Sequence, residues 1–196
     1  ETQRQEGYRV VNVKLPLGDI QADQFHQLAE LSRSHAGGRA RITHQQNLAF
    51  RWVPEQALQE VWSELNRIGL GESGAHEISD IVSCPGTDSC KLGITASMGL
   101  GRAIEETIAD MDTTDPLVKQ MHVKMSGCPN GCGQHHIADI GFHGAVMKAP
   151  GGQVPAYELF LGGSYEDGDA RFGQRIRTRV PAKRVPEAIG SVISYY

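Results

Sequence analysis

The chain has 196 residues, and 19 basic against 23 acidic side chains give a net charge of -4 and a pI near 6.1. That balance argues against a duplex nucleic-acid binder, whose domains are usually basic. No apolar run approaches the roughly 20 residues that cross a bilayer, and the polar opening ETQRQEGYRVV is not a secretory signal. The expectation is therefore a chain with no nucleic-acid or membrane partner, located in the cytoplasm. The length allows one domain or two small ones with a buried core. The absence of a starting Met points to a processed chain or an excised fragment.

In chain order, Tyr8 to Leu15 is a β-branched run and predicts a strand, broken by Pro16 and Gly18. Asp23 to His35 places Phe25, Leu28, Ala29 and Leu31 at helical spacing, with Gly37-Gly38 as the stop. Arg39 to Ile42 and Leu48 to Val53 predict two short strands around a turn at Thr43–Asn47. A helix follows from about Pro54 to Ile68, with Ala57, Leu58, Val61, Trp62 and Leu65 apolar, and ends at Gly69. The order β-α-β-β-α predicts an α+β, ferredoxin-like half with its helices on one face of the sheet. Gly71–Gly74 marks a break, so the expected domains are residues 1–71 and 72–196. Beyond it, Ile78–Val82 predicts a strand, Met98–Asp110 a helix capped by Thr95 or Ser97, and Met121–Met125 a strand. Ile137–Phe142 and Tyr157–Leu161 predict further strands, and Val185–Tyr195 a closing helix.

Four cysteines stand in two pairs, each just past a predicted strand: Cys84 and Cys90 in SCPGTDSCKLG, Cys128 and Cys132 in SGCPNGCGQHH. Strand ends are where α/β folds commonly build sites. Clustered thiols beside Gly and Pro point to a soft-metal centre. An iron–sulfur cluster, a structural zinc, disulfides and inert buried cysteines all compete at this point. The spacings, five residues within the first pair and three within the second, are unusual for zinc knuckles.

Cys84-x5-Cys90 followed by Cys128-x3-Cys132, in the contexts SCPGTDSCKLGIT and MSGCPNGCGQHHIADIGFHG, resembles the signature of the sirohaem-containing sulfite and nitrite reductases. The N-terminal unit, including RITHQQNLAF, looks like that family's ferredoxin-like "parachute" segment, and YELFLGGSYEDG is family-like too. The resemblance runs from about Gly7 to Tyr195. It implies that Cys84, Cys90, Cys128 and Cys132 hold one [4Fe–4S] cluster, with Cys132 also bridging to the sirohaem iron. It implies an α/β cluster- and sirohaem-binding domain after the ferredoxin-like half. It further implies six-electron reduction of a small oxyanion, sulfite or nitrite, with electrons from ferredoxin or a flavoprotein.

Sirohaem carries many carboxylates, so its pocket needs cationic or amide donors. Arg39, Arg41, Gln46, Asn47 and Asn130 are the residues expected to supply them, while Gly127, Gly131 and Gly133 would let backbone N–H groups approach the cluster. Exposed strand positions would equally explain Arg39 and Arg41, and a turn of unusual φ would explain Asn130. Lys91 reads as a surface lysine, and Met121 and Met125 as strand core. His135 and His136, adjacent on a predicted strand, would point to opposite faces and could not both serve one site.

Complete members of the family have two such halves, and this chain resembles the cysteine-bearing one. No catalytic residue is assignable in this half, and the N-terminal half of the same enzyme or a second copy is expected to complete the site. The isolated chain is then expected to show little activity. Other classes remain open: a non-catalytic iron–sulfur electron-transfer module, a zinc-stabilised structural domain, or a relative in corrin biosynthesis.

Overall fold

The computed structural model describes residues 1–111, 114–166 and 168–196, and the chain divides into two compact units, Glu1–Ala75 and His76–Tyr196. In the first, β1 (Tyr8–Val13), α1 (Ala22–His35), β2 (Arg41–Ile42), β3 (Leu48–Pro54) and α2 (Leu58–Arg67) follow the expected β-α-β-β-α order. The strands form an antiparallel sheet in the order β1-β3-β2. One core joins Val13, Phe50 and Val53 of the sheet to Leu28 and Leu31 of α1 and Val61 and Leu65 of α2. The i, i+4 spacing of Val61 and Leu65 buries one stripe of α2. Phe25 and Trp62 do not share in that burial: they are 60% and 54% exposed. A helical stripe wider than the sheet it covers leaves its flanking apolar side chains in water.

The second unit is a five-stranded sheet in the order β4-β5-β6-β7-β8, built from β4 (Val82–Ser83), β5 (Val123–Ser126), β6 (Ile140–Ala149), β7 (Gly152–Leu161) and β8 (Gln174–Pro181). The first three strands are parallel and the last three antiparallel. Helix α3 (Ser97–Ala109), a short α4 (Pro116–Lys119) and the closing α5 (Val185–Tyr195) complete it. Leu100, Ile104 and Ile108 of α3 and Val185, Ile189 and Ile193 of α5 are buried. No helix among the described residues is long and apolar enough to cross a membrane.

Several expected elements are redrawn. Ile78 to Ile81 lie outside the strand, which is only Val82–Ser83. Neither Thr95 nor Ser97 caps α3: the cap position is Ala96, and both hydroxyls bond to the cysteine loops instead. Residues 137–139 precede β6 rather than opening it, and β6 and β7 are longer, joined by a Pro150-Gly151 turn with Gly151 at φ +91. Proline at the second turn position and a positive-φ glycine at the third is a recognised turn pair. β8 joins β7 only from Ala156 onward, so Pro155 has no second ladder to break.

Candidate metal centre

The parallel pairing of β4 with β5, Val82 opposite Lys124 and Ser83 opposite Met125, delivers both cysteine loops to the same end of the sheet, past the C-terminal ends of the two strands. The Cys84 N–H continues the ladder by donating to the Met125 carbonyl at 3.2 Å. Beyond it, the loops lock through backbone. The Gly127 N–H donates to Cys84 Sγ at 3.1 Å. The Gly127 carbonyl accepts from the N–H groups of Ile94 and Thr95 at 2.8 and 3.1 Å. A Cβ at Gly127 would stand 2.6 Å from Gly86 Cα, and one at Gly144 would stand 2.2 Å from the Gly127 carbonyl oxygen. The Ser97 hydroxyl donates to the Cys84 carbonyl at 2.6 Å and lies 3.4 Å from its sulfur. Glycine is required here because the backbones themselves are in contact.

The loop with Cys128 and Cys132 rests on β5. Lys124 and Ser126 alternate with buried Val123 and Met125, so both point to the same side of the strand. Ser126 Oγ accepts the Gly133 N–H at 3.0 Å and lies 2.9 Å from His135 Nδ1. Lys124 Nζ donates to Gln134 Oε1 at 3.2 Å. Gly131 and Gln134 both adopt positive φ, +77 and +61, which folds the loop back over the strand. The expected role of the glycines divides accordingly. The Gly127 N–H meets a cysteine sulfur, whereas the Gly133 N–H is taken by Ser126.

His135 and His136 are not strand neighbours. They sit in a 3-10 turn, His135–Ile137, with ring centroids 3.8 Å apart, so the two rings share one side. His143 meets His135 edge-on at 5.1 Å, and Phe160 packs on all three. Burial and then its neighbours His136 and His143 push the His135 pKa down to about 3. Its Nε2 has no hydrogen-bond partner among the described residues. Behind His143, Glu158 is 3% exposed and pairs with Arg175 and Arg179. Burial alone would raise the Glu158 carboxyl, but the Arg179 hydrogen bond, with His143 and Arg175, holds it below the usual range.

All four cysteines are free thiols: Cys84 and Cys128 buried, Cys90 half-buried, Cys132 exposed. Among the described residues no three His, Cys, Asp or Glu side chains are gathered tightly enough to hold a single metal ion. A tetrahedral zinc demands that gathering, because every ligand meets one atom. A four-iron cluster binds each thiolate through a different iron, so its ligands stand further apart. Four unpaired thiols on two interlocked loops, with a backbone N–H already on one sulfur, fit that cluster's donor chemistry.

The other expected residues fall in different places. Arg39, Arg41, Gln46 and Asn47 belong to the first unit, the cysteines and Asn130 to the second. Arg39 and Arg41 are exposed, with no ion pair among the described residues. Gln46 holds φ +66 in the turn. Asn47 is fully buried, and its Oδ1 accepts the Leu15 N–H at 2.8 Å, tying the turn to the end of β1. Asn130 is exposed, and the positive φ of its turn belongs to Gly131. Lys91 is exposed and Met125 is core, as expected; Met121 is half-buried ahead of β5. Lys124, Ser126 and Ser97 were missed, although the alternation Lys-Met-Ser before Gly-Cys places two of them on the loop side of the strand.

The fold and the thiol loops define an iron–sulfur oxidoreductase domain. Residues 1–68 match the nitrite/sulfite reductase ferredoxin-like half domain, and residues 74–196 match the nitrite and sulphite reductase 4Fe-4S domain. The chain belongs to the nitrite and sulfite reductase family, oxidoreductases whose cofactors are a [4Fe–4S] cluster and sirohaem. Ferredoxin–nitrite reductase of Synechococcus elongatus is 28% identical over 192 residues, 97% of this chain and 36% of that protein. An assimilatory ferredoxin-dependent nitrite reductase of Haloferax mediterranei is 29% identical, over 99% of this chain and 33% of that protein. A sulfite reductase [ferredoxin] 2 of Mycolicibacterium paratuberculosis is 29% identical, over 87% and 31%. The solved NirA protein of Mycobacterium tuberculosis superposes with a TM-score of 0.82 at 26% identity, over 97% of this chain and 35% of that one. Dissimilatory sulfite reductase I shares the fold, with a TM-score of 0.69 at 13% identity. The chain spans about a third of the length of the relatives it matches.

Proposed function

We propose that this chain is the cluster-bearing half of a sirohaem-dependent reductase of sulfite or nitrite, with Cys84, Cys90, Cys128 and Cys132 as the cluster ligands. The observation that carries this is the interlock at Gly86, Gly127 and Cys84, which presents four unpaired thiols from one end of the sheet. By its place as the last cysteine of the family-like motif, Cys132, whose thiol is the exposed one, would serve both the cluster and the sirohaem. When bound, the two groups supply single-electron storage and an iron at which a small oxyanion is reduced. The chain's own residues hold and orient them. Buried Cys84 and Cys128 anchor, Ser97 and the Gly127 N–H fix the Cys84 sulfur, and Ser126 holds the loop of Cys132. Arg39, Arg41, Gln46 and Asn130 are donors offered to the sirohaem carboxylates, whereas Asn47 serves to brace the turn that carries Gln46. Electrons come from ferredoxin or a flavoprotein, and reduced thiols suit a reducing compartment such as the cytoplasm. A second half, from the same enzyme or another copy, supplies the rest of the oxyanion pocket.

Anaerobic reconstitution with iron and sulfide tests the reading. The expected result is a chain carrying iron and sulfide in equal amounts, with cluster absorption lost in Cys84→Ser and Cys132→Ser, and little sulfite or nitrite turnover. One zinc per chain with no iron overturns the cluster. Sustained six-electron turnover by the monomeric chain overturns its being a half-enzyme.

A further inference from the structure

Lys124 lies inside the second unit with no exposed surface, a rare place for an ammonium. Its position is fixed from several sides. On its own strand it alternates with Met125, and Ser126 next on its face supports the same loop. From above, the Oε1 of Gln134, two residues past Cys132, accepts a hydrogen bond from Nζ at 3.2 Å. From the segment after β7, the Tyr165 ring stands 4.8 Å from Nζ, with His122 against that ring at 4.9 Å. From the segment before β4, the buried Asp80 carboxylate attracts it while also accepting the His76 N–H at 2.8 Å. Burial of a charge is costly, and the Asp80 carboxylate, aided by the amide oxygen and the ring face, opposes that cost and favours the ammonium. The cationic charge is therefore held beneath the loop that carries Cys132.

We infer that Lys124 sets the electron affinity of the iron–sulfur group held by that loop, its buried ammonium offsetting the negative charge the group gains on reduction. The inference rests on the cluster reading above. Charges interact strongly where water is excluded, and the potentials of such clusters follow the surrounding charge and burial. Burial lowers the Lys124 pKa to about 8, with Asp80 partly opposing the shift. Near neutral pH, reduction takes one electron from an external one-electron donor of the ferredoxin or dithionite class, and Lys124 is already protonated. Above about pH 8, the same reduction draws one proton from solvent onto the Lys124 amine. Potential therefore falls as pH rises through that point.

Spectroelectrochemical titration of the reconstituted chain from about pH 7 to about pH 9.5 tests this against Lys124→Gln and Lys124→Arg. Wild type is expected to favour reduction at least about tenfold over Lys124→Gln near pH 7, about 59 mV for one electron. Its potential should decline above pH 8, while Lys124→Gln stays flat. Lys124→Arg, which keeps its charge, should retain the wild-type potential without the decline. A merely structural lysine would change the melting temperature and leave the potential unmoved, so equal potentials in wild type and Lys124→Gln overturn the inference. Should neither variant hold iron, the wild-type profile decides: a potential flat across the range overturns it. A wild-type chain that takes up no iron overturns the cluster reading, and the inference with it.

Discussion

The loop carrying Cys84 is held by backbone, whereas the loop carrying Cys132 rests on the polar side chains of Lys124, Ser126 and His135. Around Cys84, glycines and carbonyls touch directly and there is no room for a methyl group. Around Cys132, Gly133 is pressed as closely against the Met125 carbonyl, but the supports beside it are side chains that differ in charge, and two of them, Lys124 and His135, titrate. Each loop thus has a glycine that backbone contact makes irreplaceable, and the second has in addition a side-chain environment that substitution can adjust.

The largest way to break this contrast is Gly127→Ala. Its methyl group would meet Gly86 Cα at 2.6 Å and the Thr95 carbonyl at 2.9 Å, both backbone atoms. The expected cost exceeds about 4 kcal/mol, the range of core overpacking with loss of a buried network, read as collapse of the urea midpoint. A variant with the wild-type midpoint would mean that the loops do not interlock. Acid should act next, through the other loop. His135 has its pKa lowered from 6.5 to about 3, so the unfolded chain binds a proton that the folded one refuses. The stability present above about pH 6.5 is lost progressively as pH falls towards 3, by at most about 5 kcal/mol. His135→Gln should flatten that part of the stability–pH curve; an unchanged curve would remove His135 as the acid-sensitive support. Smallest is Ser97→Ala, which removes the 2.6 Å donor to the Cys84 carbonyl but leaves the Ser83 hydroxyl donating to it at 2.9 Å. A loss of about 0.5–1.5 kcal/mol is expected, with the cysteines still able to take up iron. Complete loss of iron binding would make Ser97 part of the holding machinery rather than a brace.

Much of the framework was readable along the chain. The β-α-β-β-α order of the first unit, α3 and the closing α5 follow from spacing, because each helix buries one apolar stripe. The cysteine loops stand just past β4 and β5 as expected. β8 carried a signal that was missed: Ile176, Thr178 and Val180 alternate with Arg175, Arg177 and Arg179, although most of this edge strand lies in water and its pairing rests on β7 and the buried Glu158 carboxylate. The 3-10 turn at His135–Ile137 was hidden. Locally the segment reads as a strand, but Ser126 and the Gly173 N–H, which donates to the His136 carbonyl at 2.7 Å, hold it otherwise. The Pro150-Gly151 signal was present and simply not used.

What the sequence by itself determined is the chemistry on offer: four thiols in two Gly/Pro-flanked pairs, behind strands whose positions their own periodicity sets. What only the tertiary structure decided is which thiol faces outward, which glycines are contact points, and that a buried lysine and, apart from it, three packed histidines lie about the second loop. The reason is physical. Periodicity reports burial against a nearest layer, whereas hydrogen bonds and charge contacts between residues dozens of positions apart depend on how the loops close.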